Sequence, residues 1–165
     1  MKAGKIFVAL VALFLILGAA GFAEAREFPQ FSTTNFNDEV ITNAIFAESD
    51  ITMVYFWATW CPPCVAGKPV LAELYKSLGG KGLIGILIDV DNQERAQQIL
   101  NSAEADFPQL RMNREIEPFI RAIGSIPTSI FVNSEGNIVG PTIVGSRSSQ
   151  DYLRMIQAAR ENTNE

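Results

Sequence analysis

The chain contains no histidine and only two cysteines among its 165 residues. Without histidine there is no Cys–His nucleophile pair. With only two cysteines as well, there are too few ligands for a structural zinc site, which usually takes four Cys or His groups. Positive charge is also scarce: 13 Lys and Arg stand against 18 Asp and Glu, for a net charge of −5. That balance argues against nucleic acid as a partner. Repeats and low-complexity tracts are missing, and the length fits one domain after any targeting segment. With 48% hydrophobic residues the chain can build a core without staples. The longest apolar run, Ile6 to Leu17, lies at the N-terminus.

Both cysteines fall in one stretch, Tyr55-Phe56-Trp57-Ala58-Thr59-Trp60-Cys61-Pro62-Pro63-Cys64. Its first half is apolar and aromatic, as a buried strand requires. Its second half is Cys-x-x-Cys with proline at both inner positions. Proline in the first turn of a helix gives up no hydrogen bond, because the N–H there has no intrahelical partner. Cys61 is therefore placed at a strand-to-helix junction, where free N–H groups and the helix dipole favour a thiolate. Cys64 follows one turn later, within reach of a disulfide formed at Cys61. Three readings of the pair stand at this point: an exchange dithiol, a small stapling disulfide, and a two-thiolate copper(I) site. A staple across so short a loop constrains the unfolded chain little. Copper(I) is chemically possible, but neither His nor Met lies near the motif.

Phe56 to Cys64 resembles the active-site segment of the thioredoxin superfamily, and Trp-Cys-Pro-Pro-Cys resembles its extracytoplasmic TlpA-like (redoxin) branch. Pro69 matches that family's helix-kinking proline. Ile126-Pro127-Thr128 matches its cis-proline segment beside the active site. The resemblance spans roughly Phe36 to the C-terminus. It implies an α/β thioredoxin fold, a central mixed β-sheet with helices on both faces and an N-terminal extension. It also implies Cys61 as the attacking thiol, Cys64 as the resolving thiol, and substrate docking at Trp60, Ile126 and Pro127, with a cis bond before Pro127. No metal or cofactor is called for. The reading for Trp60 that needs no function is simple core packing.

Met1 to Ala25 reads as a secretory signal: Lys2 and Lys5, the apolar run, then Ala23-Glu24-Ala25 as a small-x-small cleavage site. An uncleaved membrane anchor is the alternative. Residues 26–35 read as a flexible lead, with Phe28, Phe31 and Phe36 placed on the domain edge. Residues 36–165 read as the thioredoxin-like domain. Within it, a short strand at Glu39–Ile41 and a short helix to Glu48 are expected. They are followed by strand Ile51–Trp57, helix Cys61–Leu78 closed by Gly79-Gly80, and strand Leu83–Val90. A helix capped by Asp91 with Glu94 comes next, then a strand near Phe107–Leu110 and a helix Glu117–Ile123 closed by Gly124. Thr128–Val132 and Ile138–Val144 form a hairpin through Ser134–Asn137, with Pro141 marking an edge or bulge. A last helix begins near Ser148 and Asp151.

Two departures from the family concern proton transfer. Thioredoxins place a buried acid six residues before the first cysteine, where this chain has Tyr55. TlpA-like reductases place a glutamate three residues after the second, where it has Gly67, followed by Lys68. A glycine inside a helix costs about 1 kcal/mol relative to alanine. A water or Glu73 is left to move the proton. Lys68 either favours the thiolate or is an ordinary solvated surface lysine. The expected activity is thiol:disulfide exchange by an exported protein, periplasmic or extracellular, in the reducing direction. Its expected partners are exported Cys-containing proteins and a membrane thiol electron donor, and the chain itself is expected to be monomeric. A disulfide-forming oxidase with the same site is one alternative. A thioredoxin-like binding or chaperone module is another.

Overall fold

A computed structural model of the protein describes residues 26–163; the segment read as a secretory signal lies outside the described residues. The molecule is organised around strand β4, Ile51–Trp57, in which every residue is buried. Its continuous run of β-branched and aromatic side chains suits a position covered on both faces. β4 pairs in parallel with β5, Leu83–Leu87, and antiparallel with β7, Thr128–Asn133. The sheet is extended by β6, Gln109–Arg111, and by β8, Asn137–Val144, with β1, Arg26–Glu27, at the far edge. The strand order is β1-β8-β7-β4-β5-β6. This mixed six-stranded sheet, with helices on both faces, is the thioredoxin fold that the sequence implies.

Alternation along β4 divides the core in two. Met53, Tyr55 and Trp57 point to one face, where they meet α1 (Pro62–Ala66), α2 (Lys68–Ser77), α3 (Gln93–Ser102) and α5 (Ser149–Thr163). Val54 and Phe56 point to the other, against α4 (Glu117–Ile123) and a short 3₁₀ helix, Asn43–Glu48. Phe28 and Phe31 are buried in that second core, so the 26–35 segment, read as a flexible lead, contributes β1 and two core rings. Their burial removes large apolar surfaces from water, which is ample reason for the segment to lie on the domain. The two-stranded hairpin of β2 (Ser32–Thr34) and β3 (Val40–Thr42) stands where an N-terminal extension is expected. It covers the β6 edge: Asn35 bridges to Leu110, and the Thr33 hydroxyl donates to the Arg111 carbonyl at 2.7 Å.

Several local expectations are corrected. The single helix expected over Cys61–Leu78 is two, broken at Gly67. Pro69 has no N–H to return to an earlier carbonyl, so the ladder cannot run through. The strand expected to reach Val90 ends at Leu87, and Asp91 sits inside a 3₁₀ turn, Val90–Asn92, without capping α3. The reason is tertiary: the Asp89 carboxylate is drawn to Thr59, and the Asn92 N–H bonds the Asp89 carbonyl at 2.9 Å. The strand expected near Phe107 runs instead from Gln109 to Arg111. The bulge expected at Pro141 is present: Pro141 lies in the register shift between β7 and β8, beyond Asn137 and Ile138, the two residues that pair with β1.

Candidate active site

The end of β4 delivers Ala58-Thr59-Trp60 into a tight turn. The Thr59 N–H and hydroxyl both donate to the Asp89 carboxylate, at 3.1 and 2.6 Å. The Cys61 N–H closes the turn onto the Ala58 carbonyl at 3.3 Å. Trp60, three-fifths exposed, is therefore held on the surface beside the motif; it is not a core residue. The core tryptophan is Trp57, whose Nε1–H donates to Gln109 Oε1 at 3.0 Å.

Cys61 occupies the N-cap of α1, with Pro62 and Pro63 in the first turn, as the motif requires. Cys61 and Cys64 are joined in a disulfide, and the Cys64 N–H donates to Cys61 Sγ at 3.3 Å. That donor is already aimed at the sulfur on which negative charge would develop. Cys64 is fully buried and Cys61 keeps 4% of its surface. In the closed disulfide both sulfur-bearing residues are therefore buried.

The Ile126–Pro127 bond is cis. Thr128 pairs with Phe56, so Pro127 lies at the end of the sheet from which the Cys61 turn departs. The Pro127 carbonyl accepts from the Gly145 N–H at 2.8 Å. Ile126 is partly buried and packs against both cores.

Behind the disulfide the structure departs from the sequence reading. Tyr55 reaches under α1, and its hydroxyl donates to the Cys64 carbonyl at 3.4 Å. Burial pushes that hydroxyl well above the usual tyrosine range, with Ser146 opposing as a hydrogen-bond partner and Tyr152 adding to the rise. A Cβ at Gly67 would stand 3.4 Å from the Tyr55 hydroxyl and 3.2 Å from Ser146 Oγ, so Tyr55 and Ser146 fill the space a side chain there would enter. Glu73 is exposed.

Lys68 is the main surprise. It is not a solvated lysine: its relative exposure is zero and Nζ has no hydrogen-bond partner. The amine lies 3.3 Å from the centroid of the Trp57 ring, 4.8 Å from that of Tyr55 and 5.5 Å from that of Phe107. A cation over aromatic rings gains about 0.5–2 kcal/mol. Desolvating an unpaired ammonium costs several kcal/mol. Desolvation wins, and burial pushes Lys68 well below the usual lysine range. The signal was present in the sequence: Cys64, Lys68, Leu71, Ala72 and Tyr75 share one helical stripe. Asp89 and Gln109 were also missed, and no local pattern marks either. Among the described residues, no cluster of three or more Cys, His, Asp or Glu side chains suits a metal ion.

Comparison with known proteins places this geometry. The AhpC/TSA family pattern matches residues 25–140. A thiol-disulfide oxidoreductase ResA of Bacillus thuringiensis (strain Al Hakam) is 25% identical over 94% of this chain and 99% of its own length. A thioredoxin of Staphylococcus saprophyticus is 33% identical over 57% of this chain and 81% of its own. Among solved structures, a thiol:disulfide interchange protein of the thioredoxin family from Chlorobium tepidum superposes with a TM-score of 0.70 at 25% identity, over 84% of this chain and 98% of that one. StoA from Bacillus subtilis shares the fold, with a TM-score of 0.63 at 21% identity over 78% and 96%.

Proposed function

The chain belongs to the AhpC/TSA family and is a TlpA-like thiol:disulfide oxidoreductase, and from that premise we propose that it reduces disulfides of exported proteins. In this reading the Cys61 thiolate attacks a partner disulfide and forms a mixed disulfide. Cys64 then displaces the partner, which leaves reduced, and the Cys61–Cys64 disulfide closes. The observation that carries the reading is that closed disulfide, with the Cys64 N–H on Cys61 Sγ and an exposed Trp60 beside it. Trp60, Ile126 and Pro127 form the docking edge. Pro127 shares the sheet end with Cys61, and an exposed indole offers a partner a large apolar contact at low entropic cost.

Residues 1–25 act as the secretory signal in this reading, or as an uncleaved anchor, and the domain works outside the cytoplasm. Its electrons come from a membrane thiol donor. Export suits a dithiol kept for exchange, since the outside environment is oxidising. Among the described residues no helix is long and apolar enough to cross a membrane.

Cys64→Ser is the test. Without a resolving thiol the reaction stops at the mixed disulfide, so the variant captures its partners as adducts that survive non-reducing electrophoresis and dissociate with reductant. Cys61→Ser captures far fewer. If both variants hold the same proteins non-covalently, the chain is a binding module. The glutathione equilibrium decides direction. A reductant lies near thioredoxin, about −270 mV, while a value near the strong oxidant end, about −120 mV, assigns disulfide formation.

A further inference from the structure

A resolving thiol must lose its proton before it attacks, because the thiolate is the nucleophile. In this site the choice of base is narrow. The chain has no histidine. The titratable groups in the core around the disulfide are the two cysteines, Tyr55 of β4, Tyr152 of α5 and, packed against its edge, Tyr75 of α2. The half-buried Asp89 carboxylate is taken up by the Thr59 N–H and hydroxyl and by the Asn92 amide. On the elements packed there, Glu73 of α2 and Asp106 beside Phe107 are exposed. Tyr55 holds its own proton more tightly than an ordinary tyrosine. A neutral phenol is a poor base, which sets Tyr152 and Tyr75 aside as well, and the basic lone pair left in this core is that of the Lys68 amine. It is fully buried, lacks a hydrogen-bond partner, and follows Cys64 by four residues across the Gly67 break. Tyr55 touches both groups: its ring lies 4.8 Å from Nζ, and its hydroxyl donates to the Cys64 carbonyl.

We propose that Lys68 is the internal base of the dithiol, taking the Cys64 proton when Cys64 resolves a mixed disulfide. This deepens the exchange reading and rests on it. Nζ makes no direct hydrogen bond to either sulfur, so in the step the Cys64 S–H bond breaks and its proton passes through one bridging water to the Nζ lone pair, giving an ammonium. The Cys64 thiolate attacks Cys61 Sγ and the Cys61–Cys64 bond forms. The Cys61–partner S–S bond breaks, its electron pair leaves on the partner sulfur, and solvent protonates that thiolate. The cysteine pair is oxidised and the partner reduced. With no thiolate left beside it, the buried ammonium releases its proton to solvent. Run backwards, the ammonium protonates Cys64. Burial without a charged partner favours the neutral amine, the form that can accept a proton. A methionine or leucine would fill the same space without an orphaned amine, so packing alone does not call for lysine here.

The test uses reduced protein and an excess of an aromatic disulfide whose released thiolate absorbs light. The first release reports attack by Cys61, and the second reports resolution by Cys64. In Lys68→Met the second phase slows about 100-fold near pH 7, within the range for loss of a general base. It then accelerates about tenfold per pH unit, as hydroxide takes over, while the first phase changes far less. Lys68→Arg keeps the charge but does not rescue, because a guanidinium holds its proton. An unchanged second phase with an unchanged pH profile in Lys68→Met overturns the proposal. If that variant does not fold, the wild-type Nζ resonance is titrated in both redox states. The amine holds its proton to higher pH in the reduced protein, and identical titrations overturn the proposal. Failure of the wild type to release thiolate at all sinks the exchange reading itself, and this inference with it.

Discussion

The two faces of the central sheet are built to different standards. On the far face, Phe28 meets the rings of Phe31, Phe46, Phe56 and Phe119, with centroids 5.4 to 6.4 Å apart. The buried threonines that point the same way by alternation, Thr52 and Thr128, are not among the unpartnered polar atoms, and the Thr128 hydroxyl donates to the Ser125 carbonyl at 2.7 Å. On the face behind the disulfide, buried polar atoms are left over. Lys68 Nζ and the Tyr152 hydroxyl have no hydrogen-bond partner, nor does Ser129 Oγ, which by alternation with Phe131 points the same way. Such atoms cost roughly 1–3 kcal/mol each. The far face anchors the sheet, and the near face carries groups that packing alone would not choose. Local rules fail where chemistry is done.

Truncation on the far face should give the largest effect on stability. Phe28→Ala removes a ring from the centre of the aromatic group and should cost about 3–5 kcal/mol. That is a fall in Tm on the order of 10 °C. Exchange per folded molecule should stay near the wild-type rate, because no atom behind the disulfide moves. Thermal melts paired with the thiolate-release assay check both halves. A large loss of exchange in the folded variant would mean the two faces are not separable.

The opposite sign is expected on the near face. Lys68→Met replaces an orphaned amine by an apolar side chain of similar length, and should stabilise the oxidised protein by about 1–3 kcal/mol. Urea unfolding measures it. A destabilised variant would show that the cation–π contacts outweigh desolvation, contrary to the balance drawn above. Stability gained together with resolution lost is the combination that a purely structural lysine would not give.

How far the sequence discloses this contrast depends on what each feature rests on. Strand Ile51–Trp57, the start of α1 at Pro62 and helix Glu117–Ile123 with Gly124 as its left-handed cap were legible. Each rests on local chemistry: a buried apolar run, a proline at an N-terminus, a glycine at a positive φ. The features missed depend on contacts between distant segments. β5 stops at Leu87 because Asp89 is tied to Thr59, thirty residues away in sequence. Lys68 stayed open between a place facing the site and the solvated surface where lysine usually lies, although its stripe with Cys64 and Leu71 marked a buried position. The cysteine pair and the cis bond at Pro127 follow from motif resemblance. The group behind the pair does not, because this chain departs from the family at Tyr55 and Gly67.

A smaller effect is expected at the junction between the cores. Thr59→Val removes the hydroxyl bonded to Asp89 at 2.6 Å and leaves the Thr59 N–H bond in place. The loss should be about 1 kcal/mol. Because the same turn holds Trp60, capture of partners should weaken more than stability does. Trapping efficiency in a Cys64→Ser background, compared with melting, separates the two. Equal losses would mean that Asp89 braces the fold and not the docking edge.

The finest test of the contrast is its pH dependence. Lys68 is held below the usual lysine range in the folded protein, so the unfolded chain is the better proton binder at that position. Between the folded value and about 10.4, where an unfolded lysine titrates, the unfolded state holds a proton the folded state lacks. Stability must then rise with pH across that window, no more steeply than about 1.4 kcal/mol per unit for one proton. The tyrosines work the other way. Tyr55 and Tyr75 are raised by burial, so stability falls with pH only above about 10, where unfolded tyrosines ionise. Lys68→Met lacks the lysine contribution and shares every other. The stability gap between variant and wild type should therefore be widest at low pH and narrow steadily toward pH 10. Paired urea titrations of the oxidised proteins from pH 6 to 10 measure it. A gap that stays constant would mean that Lys68 keeps its proton in the folded state throughout, and the near face would then hold a buried cation in place of a base.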